Sequence, residues 1–227
     1  MPTVLITGAN RGLGLEFVRQ YTADNWRVIA TCRDPKSAKD LNQIKGNIKI
    51  LPLDVTDFMV IEQTSKLLQS ENIDILLNNA GIFDSHKNGF GKTNFDDWTE
   101  MLRINTLAPL KIVESFMAQI ISSNKRIIVS ISSLLGSVSA NDSGGQYAYR
   151  SSKTALNSIN KSLSVDLAEK GIISIVISPG WVRTDMGGPD AAIDPVDSVA
   201  GIRGVIDSLK PEDSGKFFNF DGSIINW

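Results

Sequence analysis

The sequence predicts an α/β fold of the Rossmann type: a doubly wound, mostly parallel seven-stranded sheet flanked by helices in three α/β/α layers. Three observations carry this. Short runs rich in Ile and Val recur along the chain, separated by helix-length amphipathic stretches. The runs are nearly continuous in apolar residues rather than alternating, as strands buried on both faces of a parallel sheet are. The first run feeds straight into a glycine-spaced turn, Thr7-Gly8-Ala9-Asn10-Arg11-Gly12-Leu13-Gly14, and then a helix.

In chain order the strands are expected at Val4–Ile6, Val28–Thr31, Ile48–Leu53, Ile73–Leu77, Arg126–Ile131, Ile172–Ile177 and Phe217–Asn219. Asp34-Pro35 pairs a helix N-cap with a first-turn proline and predicts a helix through about Lys45. Asp194-Pro195 repeats the signal. Leu156, Ile159, Leu163 and Leu167 follow a helical period. There is no linker, repeat or charge block, so residues 1–227 are expected to form a single domain, with a short lid near 181–194.

Composition removes whole classes of function. With 42% apolar residues the chain can bury a full core, and a net charge of −2 provides no field for nucleic acid or an anionic membrane. No apolar run approaches the ~20 residues of a membrane span. Cys32 is the only cysteine and has no internal disulfide partner. A soluble, cytoplasmic protein is expected. His86 is the only histidine, set in the polar run Asp84-Ser85-His86-Lys87-Asn88. It reads as a solvated loop residue, so neither a zinc site nor a Ser-His-Asp triad is expected.

In sheets of this kind ligands sit beyond the carboxyl ends of the strands. Six segments should therefore converge on one cleft: Thr7–Gly14, Cys32–Asp34, Asp54–Val55, Asn78–Gly81, Ser132–Gly136 and Pro179–Thr184. In the first, Gly8 can make the tight turn, Gly12 clears the approach of phosphate to backbone, and Gly14 lets helix and strand pack closely. The helix start then offers free N–H groups to a pyrophosphate. Further on, Tyr149 and Lys153 stand at i and i+4 and share a helix face. A tyrosine near its ordinary pKa of ~10 exchanges protons poorly at neutral pH, and a neighbouring ammonium would lower it.

Thr7–Gly14, Asn78-Asn79-Ala80-Gly81, Ser133, Tyr149-x-x-x-Lys153 and Pro179-Gly180, in this order, resemble the short-chain dehydrogenase/reductase family over essentially the whole chain. Gly144–Tyr149, Pro179–Met186 and Phe218–Gly222 are similar to its sniffer carbonyl reductase and C-factor branch. The resemblance implies that Tyr149 gives a proton to a substrate carbonyl and Ser133 polarises that carbonyl. It implies that Lys153 binds the nicotinamide ribose and lowers the tyrosine pKa, and that Asn105 holds a proton-relay water. Tyr147 and Ser132 are the rivals to Tyr149 and Ser133. Gly8, Asn10, Arg11, Gly12, Leu13, Gly14, Asn79, Ala80, Gly81, Pro179, Gly180, Val182 and Thr184, with Tyr149 and Lys153, would line the cofactor. Helices around Leu110–Ile121 and Tyr149–Leu167 imply a homodimer or homotetramer.

Arg33 ends the second strand where a carboxylate would favour NAD(H), and Arg11 adds a second cation, so NADP(H) is expected ahead of NAD(H). Asp54 and Val55 should meet the adenine. Phe83–Phe95, Ser137–Gly145 and Trp181–Ala192 should form the substrate rim, with Phe83, Trp181 and Met186 making an open apolar pocket for an aldehyde, ketone or quinone. The competing reading is a dinucleotide-binding developmental signalling or scaffold protein with little catalytic activity. The complete Asn105, Ser133, Tyr149 and Lys153 set argues for catalysis.

Overall fold

The computed structural model describes residues 1–83 and 89–227. Seven parallel strands form one sheet in the order β3-β2-β1-β4-β5-β6-β7. They are β1 Thr3–Thr7, β2 Arg27–Cys32, β3 Ile48–Pro52, β4 Ile75–Asn78, β5 Ile127–Ile131, β6 Ile173–Ser178 and β7 Phe217–Asn219. The order reverses between β1 and β4, which opens a crevice at their carboxyl ends.

Both faces of the sheet are covered, and successive residues of one strand serve opposite faces. In β1, Val4 and Ile6 pack with Phe17, Val18 and Tyr21 of helix α1 (Gly12–Ala23) and with Val199 and Ile202 of helix α8 (Pro195–Ser208). Leu5, between them, faces the other way. It joins Ile61 of helix α3 (Phe58–Leu67) and Ile112 and Val113 of helix α5 (Ala108–Ser115). That double burial is why the central strands read as nearly continuous apolar runs; the edge strand β3 is half-buried.

The strands lie where the apolar runs place them, with small shifts at the ends. Arg126 sits at φ 55 and therefore stands outside β5. The helix expected over 34–45 is a correction: only Lys39–Gln43 (α2) is helical. Asp34 accepts the Lys36 N–H at 3.0 Å, and the Pro35 carbonyl accepts from the Asn42 side chain at 2.8 Å. These bonds hold residues 34–37 as a turn rather than a first helical turn. At the later Asp-Pro signal α8 does start at Pro195, yet Asp194 does not cap it. Its carboxylate pairs with Arg183 instead, at 2.6 Å.

Candidate active site

The six strand-end segments all contribute to one cleft of about 560 Å³. At its floor the glycine turn is built by close approach. Gly8 has φ +64, and a Cβ there would lie 2.9 Å from Ala80 Cα. At Gly14 a Cβ would lie 2.1 Å from the Gly8 carbonyl oxygen. Arg11 precedes α1 in extended conformation and its side chain does not cap the helix. The first-turn N–H groups are thus left to a ligand. Asn10, Gly12 and Leu13 complete this wall. A cleft of this kind fits the pyrophosphate of a dinucleotide.

Asn79 supports the turn from the side. Its Nδ2 donates to the carbonyls of Thr7 (2.9 Å) and Gly8 (3.0 Å). The Thr7 hydroxyl in turn accepts the N–H groups of Asn79 and Ala80, both at 3.0 Å. Thr7 opens the predicted Thr7–Gly14 segment, yet nothing in the sequence assigns its hydroxyl this individual role.

The cations divide. Arg33 is exposed, lines the cleft, and has no ion-pair or hydrogen-bond partner among the described residues. Arg11 also lines the cleft but is paired with Asp185 at 3.1 Å, a contact that crosses from the glycine turn to the loop after β6. The two guanidiniums are therefore not equally free. Asp54 and Val55 line the same end. Burial pushes the Asp54 carboxyl up, but the Thr56 N–H and hydroxyl, at 2.9 and 2.7 Å, and the charges of Arg33 and Arg103 outweigh it and hold its pKa below the ordinary value.

At the other end α7 (Tyr147–Asp166) brings Tyr149 and Lys153 to the carboxyl end of β5. Burial pushes the Tyr149 hydroxyl up to about 12, opposed by the Ser133 hydroxyl that faces it. Burial alone pulls Lys153 down to about 8. The expected lowering of Tyr149 by Lys153 is not among the influences on this phenol. Lys153 Nζ lies 5.8 Å from the Tyr149 ring centroid and donates to the Ile131 carbonyl at 2.8 Å. Phe83 packs edge-on against the Tyr149 ring at 4.7 Å.

The geometry separates the rivals. Ser132 donates to Asn157 Oδ1 at 2.6 Å in a buried contact, so its hydroxyl is engaged. Ser133 is half-buried and set against the Tyr149 hydroxyl, although of the two serines it is Ser132 that borders the cleft. Tyr147 is 39% exposed and does not line the cleft.

Asn105 lies in a π turn, Arg103–Leu107, between helix α4 (Phe95–Leu102) and α5. Pro109 has no N–H to offer the Asn105 carbonyl, and the turn widens there. The Asn105 side chain is fully buried. It accepts the Ile82 N–H at 2.9 Å and donates to the Ile82 carbonyl at 2.9 Å and to Ser152 Oγ at 3.1 Å. Asn105 and Lys153 both border Gly81. A Cβ there would lie 3.2 Å from Asn105 Oδ1 and 3.6 Å from Lys153 Nζ.

The segment after β6 closes on itself. Pro179 and Thr184 line the cleft, whereas Gly180 and Val182 do not. Val182 is buried and bridges to Ile193, and Gly180 packs close to Ile193 and Phe220. Arg183 cinches this loop through Asp194 and the Ala191 carbonyl at 2.7 Å, a role the sequence reading did not assign. The Trp181 indole donates to the Gly187 carbonyl at 2.8 Å and is 57% exposed. Of the three expected pocket aromatics and thioethers, Phe83 and Met186 line the cleft and Trp181 does not. Trp227 stacks on Phe217 at 5.7 Å, and its carbonyl accepts the Ser139 N–H at 2.9 Å, which fastens the base of the 137–145 loop. His86 and the rest of 84–88 lie outside the described residues. Among those described, no helix is long and apolar enough to cross a membrane, and no cluster of His, Cys, Asp and Glu is arranged to hold a metal.

Comparison with known proteins agrees with this arrangement. Residues 2–192 match the family model of short chain dehydrogenases. The chain is 41% identical to C-signal of Myxococcus xanthus over 155 residues, 68% of this chain and 93% of that protein. Carbonyl reductase Sniffer of D. melanogaster superposes with a TM-score of 0.92 at 33% identity, covering all of both chains. The NADPH-bound carbonyl reductase from chicken fatty liver superposes with a TM-score of 0.91 at 34% identity, over 100% of this chain and 99% of that one.

Proposed function

We propose that this chain, which belongs to the short-chain dehydrogenase family of oxidoreductases, is an NADP(H)-dependent reductase of aldehydes, ketones or quinones. The observation that carries the reading is the meeting of Ser133, Tyr149 and Lys153 at the end of β5, beside the glycine-turned cleft. A dinucleotide spanning the cleft would set its pyrophosphate on the start of α1 and its 2′-phosphate beside Arg33, with Arg11 in reach. When bound, the nicotinamide supplies the hydride.

The residues of the chain supply the rest. Ser133 donates to the substrate oxygen and holds the carbonyl toward Tyr149. Tyr149, kept protonated by burial, gives its proton to that oxygen as negative charge develops there. Lys153, fixed by the Ile131 carbonyl, presents its charge under the phenol ring and to the nicotinamide ribose. Asn105 holds the Ile82 backbone and stands with Lys153 beside Gly81, where it would hold a water that returns a proton to Tyr149 through Lys153. Residues 1–227 act as one unit, with 181–194 as its lid. The test is NADPH consumption, read by absorbance, with a panel of carbonyls. Wild type turns over, and Tyr149→Phe loses about 10²- to 10⁴-fold while still binding NADPH. Equal rates in the two proteins would remove Tyr149 from the chemistry.

One observation favours a second reading. The similarity to C-signal covers two-thirds of the chain and supports a dinucleotide-binding signalling protein. An absence of turnover across a broad panel, with tight NADPH binding retained, would favour it.

A further inference from the structure

Tyr149, Lys153 and Asn157 follow one another at four-residue steps on α7 and form a single stripe facing the end of β5. Each holds a successive part of that strand end. Tyr149 faces Ser133, Lys153 donates to the Ile131 carbonyl, and Asn157 takes the turn 132–136 by both its ends. The Asn157 Oδ1 accepts the Ser132 hydroxyl at 2.6 Å, and its Nδ2 donates to the Gly136 carbonyl at 3.1 Å. The side chain is only 2% exposed and does not reach the cleft. Between the two clamped residues the turn is closed by the Gly136 N–H on the Ser133 carbonyl at 2.8 Å. The Leu135 N–H donates to Ser133 Oγ at 3.2 Å. Ser133 therefore sits on a short loop whose two ends are both tied to one buried amide. Gly136 itself has no room to move toward the helix, since a Cβ there would lie 2.8 Å from Lys153 Cβ.

We propose that Asn157 is a positioning residue for carbonyl reduction: by clamping Ser132 and Gly136 it fixes Ser133 opposite Tyr149. The inference rests on the reading of Ser133 and Tyr149 as the groups that hold and protonate the carbonyl. An amide suits the task because it accepts at one end and donates at the other, and a buried pair left half-made would cost more than an apolar replacement of both. The same clamp occupies the Ser132 hydroxyl, which keeps it from competing for the substrate oxygen.

The experiment compares wild type with Asn157→Leu, Ser132→Ala and the double variant. It measures carbonyl reduction, NADPH affinity, and the isotope effect of NADPH deuterated at the transferred position. A displaced Ser133 slows the chemical step, so kcat falls about 10- to 100-fold and the isotope effect rises, while the NADPH dissociation constant stays within about twofold. Because the two variants break one clamp, the double variant loses little more than Asn157→Leu alone. A fall in kcat with an unchanged isotope effect would mean a smaller folded fraction, and would overturn the proposal, as would an unchanged kcat. If Asn157→Leu does not fold, Ser132→Ala carries the same test. If wild type reduces no carbonyl, the functional reading fails separately. A crystal structure of the variant then decides the clamp: Ser133 and Tyr149 hydroxyls at their wild-type separation would refute it.

Discussion

Lys153 reaches from α7 to donate its ammonium to the backbone carbonyl of Ile131 at 2.8 Å, the residue that ends β5. This bond ties the helix carrying Tyr149 to the strand end carrying Ser133. It also buries a charge, with 5% of the lysine exposed, and burial holds its pKa near 8 against an ordinary 10.5.

That burial makes stability depend on pH in a definite sense. Below pH 8 both folded and unfolded chains carry the proton, and the cost of the buried charge is present in full. Between about pH 8 and 10.5 the folded chain releases the proton while the unfolded chain keeps it, so stability contributed by this group rises with pH, by roughly 3 kcal/mol over the window. Urea unfolding of wild type and Lys153→Met at pH 7.5 and 10 measures it. The variant should lack this rise, and an equal pH response in both proteins would contradict the assignment.

The same two groups shape the rate profile. Tyr149, pushed up to about 12, stays protonated as a proton donor across the neutral and mildly alkaline range. Lys153 loses its charge above about pH 8. Carbonyl reduction should therefore decline through pH 8 in kcat/KM, with Lys153 as the titrating group. A profile flat to pH 9 and falling near pH 10 would instead point to a tyrosine at its ordinary value.

Cofactor preference should rest on Arg33 more than on Arg11. Arg33 lines the cleft without a partner among the described residues, whereas Arg11 is already shared with Asp185. A charge-assisted bond to a 2′-phosphate contributes about 1.5–3 kcal/mol, so Arg33→Ala should weaken NADPH binding about 10- to 100-fold and leave NADH nearly unchanged. Fluorescence titration with both nucleotides gives the comparison. Asp185→Asn should tighten NADPH binding modestly by releasing Arg11, and a weaker affinity in that variant would argue against the competition.

Gly14→Ala is predicted to be a folding lesion as well as a binding one. The added methyl would meet the Gly8 carbonyl of the turn at 2.1 Å and the supporting Asn79 amide at 2.6 Å. Overpacking of this kind costs about 1–3 kcal/mol. Thermal unfolding should show a lowered Tm, and dinucleotide binding should be lost even at temperatures where the variant is folded.

Much of the molecule is legible in the sequence because its signals are local. A strand buried on both faces is mostly apolar, so the central strands β1, β4, β5 and β6 stand out as runs, while the edge strand β3 is only half-buried. The turn from Gly8 to Gly14 needs glycines where backbone meets backbone, and Tyr149 and Lys153 share a face by helical spacing alone. What went unread depends on partners distant in sequence. Asp34 and Asp194 carry the same cap-and-proline signal, yet one folds back on Lys36 and the other pairs with Arg183. Thr7 and Asn157 are ordinary polar residues until the fold sets them against Asn79 and the 132–136 turn.

Sequence alone thus determined the family, the parallel sheet and the residues gathered at its carboxyl edge, since each follows from periodicity, spacing or motif order. Tertiary structure decided which of those residues are free to act. It engaged Ser132 and left Ser133 facing Tyr149, paired Arg11 and left Arg33 without a partner among the described residues, and set Tyr149 and Lys153 in a buried place that favours the neutral form of each. Burial and hydrogen-bond satisfaction are properties of the whole packing around a group, and no local stretch of chain encodes them by itself.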